Sequence, residues 1–408
     1  MKTKIRVQLS FMMFLEFFIW GAWYVTMGSY LPNSLETTDP ETAMAYSTQS
    51  WGAIIAPFII GLIADRYMNA ERILGFLHLL GALLMYLLYT ASDFSMFYPF
   101  LLAYMIMYMS TLALVNSVSF NQMKDPAKEF SMVRVFGTIG WISAGLLVSY
   151  FSWDSPIGIQ EGALKNTFLM AAICSAVLGI FSFTLPKTPP MIERSQKIKL
   201  RDILGLDALG LLKDRNFLLF FISSVLISIP LAFYFSNLSI FLTESKVDNS
   251  TAWSALGQFS EIMFLLLLPF FLKKYGFKKT ILAGMLAWAI RYILFSFGNN
   301  GDLFSLLVIG IFLHGICYDF FFVSGQIYTD SKAGEKYKSA AQGLITLATY
   351  GIGMLIGFWV AGKITNVYVL QDNLHDWQTV WLFPAMFASA VLVFFAIFFK
   401  NEEISYKP

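Results

Sequence analysis

The stretch LPKTPPMIERSQKIKLRDILGLDALGLLKDR, from Leu185 to Arg215, is the longest polar segment in this chain of 408 residues, and its position decides how the rest is read. Its Pro189-Pro190 pair, followed by a run of charge, marks a linker. On either side lie apolar windows long enough to cross a bilayer core about 30 Å thick, which takes about 20 residues of helix. Six precede it, at 8–31, 44–64, 73–91, 95–118, 131–152 and 167–185, and six follow, at 216–242, 251–272, 280–298, 303–326, 340–362 and 378–399. The expected fold is therefore an all-α integral membrane protein with twelve transmembrane helices in two six-helix halves. Residues 1–185 form the first half, 186–215 a cytoplasmic linker and 216–408 the second half. The first window carries Glu16, exceeds a signal-peptide core and lacks a small-residue cleavage pattern after it, so it is read as a retained helix.

The composition agrees. Charged residues make up 13% of the chain and hydrophobic ones 57%, against about 25% charged in soluble domains, which excludes an ordinary soluble enzyme. A net charge of +2, from 28 basic and 26 acidic residues, leaves no electrostatic footprint for nucleic acid. Cys174 and Cys317 lie in apolar runs, and His78, His314 and His375 are scattered. Neither a disulfide framework, a metal cluster nor a cofactor is expected.

Lys and Arg sort onto two sides of the windows with a strong bias. Twenty-three of the 28, including seven between Lys187 and Arg215, fall on one side, and only Lys165, Lys246 and Lys363 on the other. By the positive-inside rule both termini are cytoplasmic, and the chain is a multi-pass protein of the cytoplasmic (inner) membrane. A short echo, Ala56-Pro57-Phe58 against Leu268-Pro269-Phe270, relates the halves. Internal repeats with a mid-membrane site characterise many secondary transporters.

Ionisable residues at bilayer depth are costly and mark pathways or proton relays. Glu16 shares a helical face with Trp20 and Trp23, and is read either as a site or proton group or as a carboxylate satisfied by a neighbouring helix. Arg134, Thr138 and Trp141, spaced i, i+4, i+7, put a cation, a hydroxyl and an aromatic plane on one stripe. The other reading of Arg134 is an interfacial side chain whose head reaches water. Gln258 and Glu261 lie at i, i+3 in the eighth window; His314, Tyr318 and Asp319 lie in the tenth. A carboxylate buried away from any cation can exchange a proton near neutral pH, as a proton-coupled carrier requires. The alternative for Asp319 or Glu261 is an ion pair with Arg291 or Arg134 that only holds the fold together; Arg291 itself reads as structural. No phosphate-binding loop and no catalytic grouping is present, so neither an ATP-driven pump nor an enzyme is expected.

Gly61, Asp65 and Arg66 resemble the Gly-x-x-x-Asp-Arg signature of the major facilitator superfamily. Several further segments, in order, resemble its bacterial nucleoside:proton symporters, the nucleoside permease family. They include Trp20-Gly21-Ala22-Trp23, Arg134-Val135-Phe136-Gly137-Thr138, Gln258-Phe259-Ser260-Glu261, Tyr318-Asp319-Phe320-Phe321 and Asp376-Trp377-Gln378-Thr379. The resemblance implies the major facilitator fold and nucleoside import by proton symport through alternating access. It implies substrate contacts from Arg134, Thr138 and Trp141 in the first half and from Gln258, Glu261, Tyr318, Asp319 and Phe322 in the second. Proton coupling is expected at Asp319, Glu261 and Glu16. The partners expected are a nucleoside, a proton and the bilayer, with the protein a monomer. The chain departs from the family twice: Pro230 to Phe235 is apolar where the family supplies amides, with Ser236 and Asn237 the nearest polar groups, and Glu16 stands where an uncharged amide is usual. Alternatives are a proton-coupled sugar or polyol symporter, or a nucleoside-sensing receptor that does not transport.

Overall fold

The computed structural model describes residues 2–59, 68–123, 126–189, 206–370 and 374–402. The Gly61-Asp65-Arg66 signature and most of the linker lie outside the described residues. The first part of the chain contains α1 (Thr3–Trp23), α2 (Met27–Leu35), α3 (Asp39–Ile59), α4 (Ala70–Thr90), α5 (Phe94–Asn121), α6 (Pro126–Tyr150), the short α7 (Pro156–Gln160) and α8 (Asn166–Ser182). The second contains α9 (Arg215–Glu244), α10 (Ser250–Phe297), α11 (Phe304–Phe312), α12 (His314–Tyr318), α13 (Ser324–Thr346), α14 (Met354–Val367) and α15 (Trp377–Phe398). Wide π-turns at Asp319–Val323 and Leu347–Gly353 interrupt the tenth and eleventh windows.

Among the described residues ten helical stretches are long and apolar enough to cross a membrane. Two differences from the twelve expected windows have clear origins. The second window maps to α3, which ends at Ile59 where the described residues stop. The eighth and ninth windows join in α10, whose 48 residues break at Gly276 with φ 78° and ψ 171°. At 1.5 Å per residue that length is about 72 Å, more than twice a bilayer core. Only glycine adopts such a backbone without strain, so Gly276 sets the turn.

The chain divides into two compact units, Met1–Ile198 with Asp248–Ala255, and Lys199–Val247 with Leu256–Pro408. In unit 1, α1 packs on α6 and α8, α4 on α8 and α5, and α3 on α5. The α1 to α2 break frees backbone groups that lipid could not satisfy. Tyr46 answers them: its hydroxyl donates to Tyr24 O at 3.0 Å and accepts from Gly28 N–H at 2.9 Å. The first turns of α10 join this unit because Asp154 caps them. Its Oδ2 accepts from Thr251 N–H at 2.9 Å and Ser149 Oγ at 2.6 Å, and Ser149 Oγ in turn accepts from Ala252 N–H. In unit 2, α9 packs on α14, α15 and the Leu347–Gly353 turn, around a stack in which Tyr292 and Trp381 lie parallel at 5.6 Å.

Glycine sets how closely these helices approach. The position of a Cβ at Gly140 of α6 falls 2.1 Å from Phe14 O of α1. A backbone oxygen cannot move aside as a side chain can, so Gly140→Ala has to separate α1 from α6. Overpacking of this kind costs about 1–3 kcal/mol. Gly140→Ala is expected to melt several degrees below the wild type in detergent, whereas Gly343→Ala, with no atom of the described residues within 4 Å of its Cβ, melts with it. A Gly140→Ala protein as stable as the wild type would contradict this packing.

Candidate substrate and proton sites

Unit 1 gathers an aromatic cluster around Trp20. The indole lies 5.4 Å from Trp141, 5.5 Å from Tyr108 and 5.6 Å from Tyr24, all edge-on. Trp141 packs on Gly21 of α1, where any side chain would strike its ring. The half-buried Arg134 places its guanidinium carbon 4.0 Å above the Phe17 ring, a cation–π arrangement. Gly137 makes that pose possible, since a Cβ there would meet Arg134 Nη1 at 2.7 Å and Phe17 at 2.7 Å. Thr138 is half-buried on the same stripe. The expected cation, hydroxyl and aromatic therefore do share one side of α6, and α1 adds Phe17 and Trp20. The indole N–H of Trp20 is buried without an acceptor among the described residues.

Glu16 points elsewhere. It is fully buried, with Oε2 2.8 Å from His78 Nε2 of α4 and Oε1 accepting from Thr111 Oγ at 2.5 Å. Tyr108 donates to its backbone carbonyl at 2.6 Å. Ser175 Oγ donates to His78 O at 2.9 Å and lies 3.1 Å from His78 Nδ1. With the Ser175 hydrogen so engaged, Nδ1 is the donor in that contact, and the Glu16–His78 contact holds one shared proton. Helical periodicity gave Glu16 its face but could not supply His78 or Thr111, which lie 62 and 95 residues away.

Unit 2 brings together its predicted residues on α10, α12 and the π-turn that follows. Gly315 allows this: a Cβ there would lie 2.5 Å from the Ser260 backbone, and Gly315 N–H donates to Ser260 Oγ at 2.9 Å. Glu261 is thereby set beside His314, with Oε2 4.0 Å from Nε2. Gln258 stands one turn earlier, half-buried. Tyr318 hydrogen-bonds Tyr350 of the second π-turn, hydroxyl to hydroxyl at 2.5 Å, and its ring packs on Phe322 at 5.2 Å. Asp319 opens the first π-turn, a distortion frequent at functional sites. Its side chain is 0% exposed and neither carboxylate oxygen has a hydrogen-bond partner among the described residues. It lies within electrostatic range of Glu261.

Arg291 is buried, its guanidinium carbon 3.5 Å above the Tyr234 ring, and Nη1 donates to His314 Nδ1 at 3.1 Å. His314 thus stands between Arg291 and Glu261. Sequence reasoning placed His314 near Tyr318 and Asp319 without giving it a role, and missed Tyr234 altogether. The i, i+4 spacing of His314 and Tyr318 was the available signal. The two polar groups nearest the apolar segment of α9 are both engaged: Asn237 Nδ2 donates to Thr365 Oγ at 2.9 Å, and Ser236 Oγ bonds Ala232 O at 3.0 Å.

Comparison with known proteins extends over the whole chain. The model of the nucleoside H+ symporter family matches residues 1–404. The putative nucleoside transporter YegT of Escherichia coli K12 is 42% identical over 408 residues, covering 98% of this chain and 95% of that protein. Xanthosine permease of the same organism is 32% identical over 420 residues, covering 99% and 97%. The crystal structure of the nucleoside transporter NupG superposes with a TM-score of 0.86 at 28% identity, covering 98% of this chain and 100% of that one. The chain belongs to the nucleoside H+ symporter family.

Proposed function

We propose that this protein imports nucleosides with protons across the inner membrane by alternating access, with Asp319 as the main proton-exchanging group. The observation that carries this reading is Asp319 itself, a fully buried carboxylate with no hydrogen-bond partner among the described residues. An ionised carboxylate left so in the membrane interior is very costly. A carrier that binds a proton there during its cycle removes that cost, and one that releases it restores it, which is the thermodynamic link symport needs.

In this reading Arg134, Thr138 and Trp141 contribute substrate contacts from unit 1. Gln258, Glu261, Tyr318, Asp319 and Phe322 contribute them from unit 2. Carboxylates accept hydrogen bonds from ribose hydroxyls, amides pair with polar base edges, and indole or phenol rings pack on the base. Glu261 takes part in proton coupling as the acid within electrostatic range of Asp319. Glu16, in contact with His78, is the third acid in the coupling scheme. Counting α3 and two crossings for α10 gives twelve spans, with both termini cytoplasmic and the two units as the two six-helix halves of a monomer. The helix segment from Pro230 to Phe235 supplies no amide, and its Tyr234 is buried against Arg291 and His314, so base preference is expected to rest on the other side chains of the site.

Labelled uridine uptake into proteoliposomes, with and without an inward proton gradient, tests the function. Gradient-driven accumulation competed by unlabelled adenosine and inosine is expected; competition by glucose instead would favour the sugar reading. Asp319→Asn keeps the shape and removes titration, and is expected to abolish accumulation above equilibrium while counterflow exchange persists; unchanged pH-dependent accumulation would reject the assignment. Arg134→Ala removes a charged donor, worth about 1.5–3 kcal/mol where hydrogen-bonded, so uridine Kd should rise at least about tenfold. Wild-type binding in this variant would remove Arg134 from the site.

A further inference from the structure

We infer that His314 is a positioning residue that conveys the charge of Arg291 to Glu261, so that Glu261 serves as the standing anion and Asp319 alone exchanges the proton. This rests on the proposed roles of Glu261 and Asp319 and divides those roles between them.

Guanidinium groups only donate hydrogen bonds. The 3.1 Å contact from Arg291 Nη1 therefore requires a lone pair on His314 Nδ1. The ring hydrogen must then sit on Nε2, the nitrogen that faces Glu261 Oε2 at 4.0 Å. A second proton on the ring would have to displace Arg291, so His314 remains neutral and does not carry the coupled proton. Its surroundings hold the ring in this pose. Tyr234 of α9 stacks on it at 5.3 Å and Tyr318 at 5.8 Å, both within 30° of parallel. Gly257 of α10 lies against its Cβ, where a side chain would approach to 3.1 Å.

Among the described residues, the charged and titratable groups beside the ring are Tyr234 from α9, Glu261 and Arg291 from the two ends of α10 and Tyr318 from α12, with Cys317 near Arg291 and Asp319 near Glu261. Arg291 is the cation among them. Through the imidazole it faces Glu261 across 4.0 Å, whereas Asp319 has no hydrogen-bond partner among the described residues. Two acids in electrostatic range of one another are thus given unequal environments. That inequality separates an anion that meets substrate hydroxyls from an acid that gains and loses a proton.

The test compares two substitutions at one position. His314→Gln keeps the polarity of the relay without a titratable ring, because the amide oxygen can accept from Arg291 and the amide N–H can donate towards Glu261. His314→Phe keeps the stacked ring and removes both nitrogens. Uridine binding is measured against pH in purified protein. His314→Gln is expected to retain the wild-type pH profile with Kd within about threefold. His314→Phe is expected to weaken binding at least about tenfold and to move the midpoint of the profile by about one pH unit or more. In a Glu261→Gln background the same His314→Phe change should move the profile no further, since the acid it serves is gone.

A proton-carrying His314 would make Gln behave like Phe, and a purely packing His314 would leave the Phe profile on that of the wild type. Either result overturns the relay. Should His314→Phe fail to fold, infrared difference spectra of Asp319→Asn and Glu261→Gln decide the matter. The protonated-carboxyl band should be lost at neutral pH in the first and kept in the second, and the reverse refutes the division. Wild-type protein that fails to accumulate uridine would instead refute the underlying function and leave the His314 geometry standing.

Discussion

Lipid offers no hydrogen bonds, so every polar side chain that these helices carry inward has to be answered within the bundle. Unit 1 meets that constraint fully at its buried acid. Glu16 spends one carboxylate oxygen on Thr111 and the other on His78, and His78 is in turn held by Ser175. Four helices, α1, α4, α5 and α8, are tied by this one network. Unit 2 meets the constraint differently. Arg291 is answered by the Tyr234 face and by His314, while Asp319 has no hydrogen-bond partner among the described residues. Two wholly buried acids thus stand in opposite environments, Glu16 held by protein partners and Asp319 with none among the described residues.

Close backbone approach makes both networks possible. Gly140 lets α6 touch the α1 backbone two residues before Glu16, and Gly315 lets α12 touch the α10 backbone beside Glu261. Gly353 and Gly357 do the same for α14 and the preceding turn against α9, with Cβ positions 2.6 Å from Val225 O and 2.7 Å from Ala232 Cβ. In membranes such small-residue contacts replace the hydrophobic drive that associates helices in water. The π-turns add a second device. By widening the helix at Asp319 and at Leu347–Gly353 they re-aim the residues that follow, and they put Tyr318 and Tyr350 within a hydrogen bond of each other.

Apolar length was legible in the sequence because a membrane span is defined by composition over about 20 residues, and eleven of the twelve windows reappear in ten apolar helical stretches. Departures from that regularity were not. The handover from α1 to α2 rests on a Tyr46 hydroxyl contributed by another helix, and the π-turns on packing that no local pattern encodes. The site was legible to the same depth. Spacing put Arg134, Thr138 and Trp141 on one stripe and Gln258 with Glu261 on another, since period determines face. It could not say that Arg134 would lie on Phe17, that Glu16 would turn to His78, or that His314 would come between Arg291 and Glu261, because each of those partners arrives through tertiary structure.

The placement of Arg291 shows why a buried cation serves this site better at one remove. Set directly against Asp319, a guanidinium would hold that carboxylate as an anion and suppress the exchange that coupling requires. Far from both acids it would be a desolvated charge with little return. Its delocalised charge instead rests on the Tyr234 face and is hydrogen-bonded to a neutral ring that lies 4.0 Å from Glu261. Lysine could not substitute, since its ammonium lacks the planar surface that lies flat on Tyr234 and the fork that aims one N–H at His314. The identity of the cation, the face it rests on and the imidazole it addresses are therefore one constraint, and the division of labour between Glu261 and Asp319 follows from it.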